Sequence, residues 1–136
     1  MVEKKIIVAS GPVIIENGKL LLDRDYKDDF WKFIGGRVKE GESFEERCLK
    51  RAKEELNAEV KIIRPLSPLV LWKNPQTGEE MQIILVHWLC NLKNKLELKV
   101  GDGIKEFSWI DIKDIKSGKI NVAPNVKFLI KKGDIK

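Results

Sequence analysis

The sequence is poor in cysteine and histidine, carries no long apolar run and holds no low-complexity segment or internal repeat. Its two cysteines, Cys48 and Cys90, fall in an apolar helix face and a strand-like run. They read as small buried hydrophobes of a reducing compartment, not as a disulfide framework. No zinc-ligand spacing is present, and the lone His87 lies inside an apolar strand, where it reads as a sheet histidine and not as a base. The longest apolar stretch, Ile83–Cys90, is far shorter than a membrane span. The opening MVEKKIIVASGPVII is interrupted at Ser10, Gly11 and Pro12, so it lacks the apolar core of a secretory signal. A soluble, cytoplasmic protein without a membrane partner is expected.

What is present is charge of both signs. The chain has 26 basic and 21 acidic residues, a net charge of +5. That balance suits anionic ligands, but no basic tract interleaved with aromatics appears, so a nucleic-acid partner is disfavoured. At 136 residues the chain is expected to form one domain over 1–136, burying roughly two thirds of its unfolded surface without staples.

Two β-rich runs, IIVASGPVII and KLLLD, flank Asn17-Gly18, which predicts a hairpin over residues 5–24. WKFIGG reads as a short extended piece ending in paired glycines. Ser43 and Glu46 form the S-x-x-E capping pattern and open a helix over 44–56, and Asn57 suits its left-handed end. VKII, PLVLW and MQIILVHWLC read as strands punctuated by Pro65, Pro68 and the turn NPQTG. FSWI is another strand, Asp111 caps a short turn at 112–116, and Pro124 starts a final helix ending near Gly133. This order predicts a mixed sheet packed against helices, class α/β.

The 44–56 helix carries the chemistry. At 100° per residue, Cys48, Leu49, Ala52 and Leu56 are expected to face the core, with Glu45 toward the same side. Glu46, Lys50 and Lys53 point outward. Arg47, Arg51, Glu54 and Glu55 share a third face, where two carboxylates can converge on a hard cation such as Mg²⁺. Read alone, the same pattern is also an ion-paired solvated helix face.

Upstream lies GGRVKEGESFEERCL. From Gly36, Glu42 follows after five residues and Lys50 after seven more, and KRAKEELNA closes the segment. Over the 23 residues from Gly36 to Ala58 this resembles the Nudix box, in words Gly, five residues, Glu, seven residues, then Arg-Glu-apolar-any-Glu-Glu-any-Gly-apolar. Gly36, Glu42, Ala52, Glu54, Glu55 and Ala58 stand at matching places. WKFIGG, KEFSWIDI and the APN start of the last helix extend the likeness over most of the chain. The resemblance implies an α/β/α sandwich, a hydrolase of nucleoside diphosphates linked to another moiety, a Mg²⁺ cofactor with Mn²⁺ as an alternative, and a homodimer as an admissible assembly.

Three positions depart from the pattern. Asn57 in place of glycine is mild, because asparagine also accepts the left-handed cap. Lys50 in place of arginine keeps the charge but loses the planar fork. Arg51 stands where the family has a glutamate that ligates metal and is often the proposed base. A guanidinium about 5 Å from a unit charge changes its energy by roughly 3 kcal/mol at an effective dielectric near 20. Metal affinity is therefore expected to fall unless another carboxylate helps, and Arg51 becomes a candidate phosphate contact.

By resemblance, the Gly35 carbonyl, Glu54 and Glu55 are the metal ligands, and Gly36, Glu42 and Lys50 support the box. Candidate catalytic carboxylates are Glu54, Glu55 and, from VGDGIKEFSW, Asp102 and Glu106, where flanking glycines allow movement; Glu45 is a weaker one. Arg24, Arg37 and Arg51 are candidate phosphate contacts. Trp31 and Trp109 are expected in the core; Trp72 and Trp88 are candidates to stack on a base, with packing the simpler role. Two activities follow: pyrophosphate hydrolysis weakened by Arg51, or a degenerate domain that binds a nucleotide or nucleotide sugar without cleaving it.

Overall fold

Asn17 and Gly18 take φ values of 52° and 75°, the conformation this dipeptide favours in tight turns. In the computed structural model, which describes residues 5–136, they join strand β1 (Ile6–Glu16) to β2 (Lys19–Asp25). The hairpin expected over 5–24 is only two pairs deep, Ile15↔Leu20 and Glu16↔Lys19. Below it the strands diverge. From Ile6↔Gln82 to Ile14↔Cys90, β1 runs parallel to β6 (Glu80–Leu92), while β2 pairs antiparallel with β7 (Ile104–Asp111). The turn sets only the reversal; burial on both faces selects the long-range partners.

The sheet has seven strands in the order β4-β6-β1-β2-β7, with β4 being Val60–Pro65. The two-residue β3 (Gly36–Arg37) joins β1, and β5 (Leu69–Lys73) joins β6. Successive apolar residues alternate between its faces. Val13, Leu20 and Leu22 enter one core with residues of α2 (Ile112–Lys116) and α3 (Pro124–Lys132). Ile14 and Leu21 enter a second core, closed by Cys48, Ala52 and Leu56 of α1 (Phe44–Leu56). A mixed sheet between helical layers is the expected α/β/α sandwich.

The predicted helix ends hold. Ser43 and Glu46 form a reciprocal capping box, and Asn57 closes α1 at φ 54°. Asp111 accepts from the Lys113 amide, and Gly133 ends α3 at φ 91°. A 3₁₀ turn at Lys95–Glu97 had no signal in the pattern. The face of α1 needs correction: its buried positions are Arg47, Cys48, Ala52, Glu55 and Leu56. Leu49, expected in the core, is 43% exposed, and Glu45 is exposed as well. Cys48, Ala52, Glu55 and Leu56 follow the i, i+4, i+7, i+8 spacing of one stripe, and Leu49, about 20° past Leu56 on the wheel, falls at its exposed margin. A glutamate takes a place in that stripe because a partner waits for it on the glycine loop. Trp31 and Trp109 are partly buried against the two cores, and Trp72 is exposed. Trp88 is half-buried and donates its Nε1–H to Ser10 Oγ at 3.1 Å.

Candidate functional site

The glycine loop and β1 pass at backbone contact. A side chain on Gly11 would place its Cβ 1.9 Å from the Ile34 carbonyl, so only glycine permits this approach. Ser10 Oγ donates to the Phe44 carbonyl at 2.7 Å and ties β1 to the start of α1. On the far side, the Gly35 amide donates to Glu55 Oε2 at 2.8 Å. The loop is thus clamped between the middle strand and the charged face of α1.

That face divides into two corners. In the first, Arg47 is only 4% exposed and forks onto Glu42, with Nε–Oε1 at 2.9 Å and Nη2–Oε2 at 2.6 Å. Its Nη1 reaches Glu54 Oε1 at 3.1 Å. Hydrogen bonds from Arg47 and the Lys39 amide hold Glu42 down to about 2. Lys50 also reaches Glu42 at 3.0 Å but stays 56% exposed. The bidentate fork lost at Lys50 is therefore supplied from Arg47, one turn earlier, a role the sequence pattern did not reveal.

In the second corner, Arg51 lies among Gly35, Glu54 and Glu55. Its Nε donates to the Gly35 carbonyl at 3.2 Å. Its Nη2 is 3.3 Å from Glu55 Oε2 and its Nη1 3.8 Å from Glu54 Oε2. The guanidinium is 28% exposed and Glu54 is 48% exposed, whereas Glu55 is buried. Gly36 makes room for this arginine: a Cβ there would sit 2.6 Å from Arg51 Nε.

Behind Glu55 lies Asp23, a residue that sequence reasoning missed. It is fully buried on β2, and neither carboxyl oxygen meets a hydrogen-bond donor. Burial and the neighbouring Glu55 push Asp23 up to about 8, against the attraction of Lys32 and Arg51. Burial also raises Glu55. Burial and the mutual repulsion of the two carboxyls both disfavour a second negative charge here. One residue offered a sequence signal: Asp23 is an acid ending the apolar run LLLD, where a charge is costly unless it is partnered or neutral.

The remaining expected residues are spread around this centre. Glu106 sits on β7, opposite Arg24 on β2, and the two form a 2.6 Å ion pair. Arg24 also stacks 5.0 Å over Trp31. Asp102 occupies an exposed turn that is moored to α1, because the Gly101 amide donates to the Glu55 carbonyl at 2.6 Å. Arg37 is exposed on β3. Lys32 bridges Asp25 at 3.2 Å and the buried Asp28 at 2.8 Å.

A cleft of about 360 Å³ opens beside the loop, lined among others by Lys32, Gly35, Gly36, Arg37, Phe30 and Asn125. On its wall Asn125 Nδ2 lies 3.0 Å from His87 Nε2. Burial lowers His87 to about 4, which favours the neutral imidazole near pH 7. The structural reading of His87 agrees with its lack of exposure.

The NUDIX domain model matches residues 6–129. The chain belongs to the Nudix family of hydrolases. A nucleoside triphosphatase of Escherichia coli, NudI, is 25% identical over 132 residues, covering 88% of this chain and 92% of that protein. Among solved structures, the MutT protein of Methanosarcina mazei Go1 superposes with a TM-score of 0.81 at 19% identity, covering 98% and 96% of the two chains. A Caenorhabditis elegans Ap4A hydrolase in a binary complex gives 0.74 at 22% identity, covering 94% and 95%. The Nudix box of this chain is the Gly36–Ala58 segment, from the glycine loop through α1.

Nudix hydrolases generally use a divalent metal. Here the donors implied for it, the Gly35 carbonyl, Glu54 and Glu55, do come together, but each faces the Arg51 guanidinium. Glu54 is further engaged by Arg47. A Mg²⁺ ion requires open oxygens at about 2.1 Å in octahedral array. Among the described residues no group of three or more His, Cys, Asp or Glu side chains is placed to hold a metal. As arranged, these residues do not fit a resident divalent ion. No helix among the described residues is long and apolar enough to cross a membrane.

Proposed function

We propose that this chain hydrolyses a pyrophosphate bond in a nucleoside diphosphate linked to another moiety. The divalent ion, Mg²⁺ or Mn²⁺, is assigned to the substrate's phosphates during hydrolysis and is not needed for the nucleotide to dock. One observation carries the reading: a half-open cationic and carboxylate corner, Arg51 and Glu54, lies beside the glycine loop that borders the cleft. The relatives' names support the substrate class, since a nucleoside triphosphatase and an Ap4A hydrolase both act on nucleotide phosphoanhydrides.

In this reading Glu54, the more open of the paired carboxylates, activates the attacking water. Glu55 holds the loop through the Gly35 amide, and Gly36 gives Arg51 its space. Arg51 and Arg37 meet the phosphates, and Glu42 with Lys50 supports the helix face. Arg24 positions Glu106 on the sheet, and Asp102 serves as the second carboxylate able to approach from its exposed turn. The nucleoside moiety occupies the cleft beside Phe30 and Asn125.

A second reading, binding without cleavage, is favoured by one feature, the cation standing at the box glutamate's place. A panel of nucleoside triphosphates, dinucleotides and nucleotide sugars, incubated with Mg²⁺ or Mn²⁺ and followed by phosphate products, separates them. Turnover by the parent chain is expected, with Glu54→Gln slower by about a hundredfold or more. Binding of a panel member with no turnover would establish the second reading instead.

A further inference from the structure

The arrangement around Arg51 carries an inference about how anionic ligands are held. We propose that the Arg51 guanidinium is the resident cation of this site and binds a ligand's pyrophosphate group without a protein-bound divalent ion. The pyrophosphate part rests on the proposed function; the cation part stands on geometry alone.

Three acceptors that would serve a metal, the Gly35 carbonyl, Glu54 Oε2 and Glu55 Oε2, converge on one guanidinium at 3.2, 3.8 and 3.3 Å. A dication and a guanidinium cannot share those oxygens, because each would repel the other within a few ångströms. Arg51 is not a stray surface residue in this position. Its stem lies on the bare Gly36 backbone, where a Cβ would be 2.7 Å from Cδ, and its Nη2 lies 3.3 Å from the buried Glu55 carboxylate.

The same guanidinium is incompletely engaged. Only the Nε contact meets hydrogen-bond criteria; the two Nη contacts are ion pairs at 3.3 and 3.8 Å, and the group is 28% exposed. Five N–H donors in a planar fork leave capacity for two phosphate oxygens. Arg47, one turn away, has less such capacity, since each of its three nitrogens already donates to a carboxylate and its side chain is only 4% exposed. Arg37, exposed on β3, borders the adjoining cleft and extends the positive field toward a second phosphate.

The test uses the full chain in two titrations. Mn²⁺ alone, followed by its free electron-spin signal, is expected to show no binding to the parent in the micromolar range and clear binding to Arg51→Glu, which adds a third carboxylate beside Glu54 and Glu55. ADP, followed by calorimetry, is expected to bind the parent about equally in excess chelator and in Mg²⁺. Arg51→Gln should weaken the chelator value by about tenfold, and Arg51→Lys by less. Melting curves confirm that each variant is folded. Micromolar Mn²⁺ binding by the parent overturns the cation assignment, and ADP binding that needs Mg²⁺ overturns the metal-free contact. Absence of ADP binding under both conditions refutes the nucleotide reading, while the Mn²⁺ titration still decides the role of Arg51.

Discussion

Two arginines stand one turn apart on the same face of α1 and share Glu54, but the rest of their surroundings differ. Arg47 is 4% exposed, forks onto Glu42 at 2.6 and 2.9 Å, and continues to Glu54. Arg51 is 28% exposed and spreads over three acceptors at 3.2 Å and beyond. The first geometry is that of a structural clamp, where short charge-assisted bonds engage all three nitrogens of a covered guanidinium. The second is that of a ligand contact, held in place yet still able to donate. Residue type and helix position are nearly identical; the difference lies in what each meets across the loop.

The comparison is most sharply broken by truncating each arginine in turn. Arg47→Ala is expected to be the more destabilising, because Arg47 is almost fully covered and holds both Glu42 and Glu54. Arg51→Ala is expected to cost less, because Glu55 keeps the Gly35 amide as a donor and the Glu54 partner is exposed. Urea unfolding of both variants measures this directly. An equal or larger loss from Arg51 would mean that it, too, is a clamp.

The two corners should also respond to pH in opposite directions. In the Arg51 corner, Asp23 keeps its proton to about 8, against an ordinary value of 3.8. Its folded form then binds the proton that its unfolded form has released, so stability falls as pH rises through that window. Asp23→Asn retains a donor toward Glu55 and removes the titration. Relative to the parent it is expected to gain stability steadily from pH 4 to 8; a gap that does not widen with pH would refute the buried proton.

In the Arg47 corner the sign reverses. Glu42 is held down to about 2, against an ordinary value of 4.5. Its contribution is complete above pH 4.5 and is lost as pH falls toward 2. The stability difference between the parent and Arg47→Ala is therefore expected to shrink across that acid range. A difference that stays constant from pH 6 to 2.5 would show that the clamp acts by packing, not by charge.

The smallest effect is expected at Lys50, which occupies the box position where the family has arginine. With its ammonium 56% exposed, Lys50→Ala should change stability by less than about 0.5 kcal/mol. A larger effect would move part of the clamp from Arg47 back to Lys50.

The legible features were those with a local cause. Asn17-Gly18 encodes its turn, Ser43 and Glu46 encode the start of α1, and Asn57 and Gly133 encode helix ends, because each depends on φ preferences or on hydrogen bonds within a few residues. The spacing from Gly36 to Glu55 likewise marked the loop and helix that form the candidate site. Less legible were the partners: β1 leaves its hairpin for β6 over nine pairs, and no local signal distinguishes a strand's neighbours. The face of α1 was misread at Leu49 and Glu55 for the same reason, since a helical wheel counts apolarity and cannot see the Gly35 amide awaiting a carboxylate.

The sequence by itself determined the class of fold, the family and the charged stretch KRAKEEL, since these follow from periodicity, caps and residue spacing along one segment. Only the tertiary structure decided what the charges do. It gave Arg47 the fork that Lys50 lacks, set Asp23 of β2 behind Glu55, occupied Glu106 with Arg24 and laid Arg51 across the Gly35 carbonyl. Each of these is an encounter between residues from different elements. Electrostatic roles depend on distance and burial, and neither is written in the order of residues along the chain.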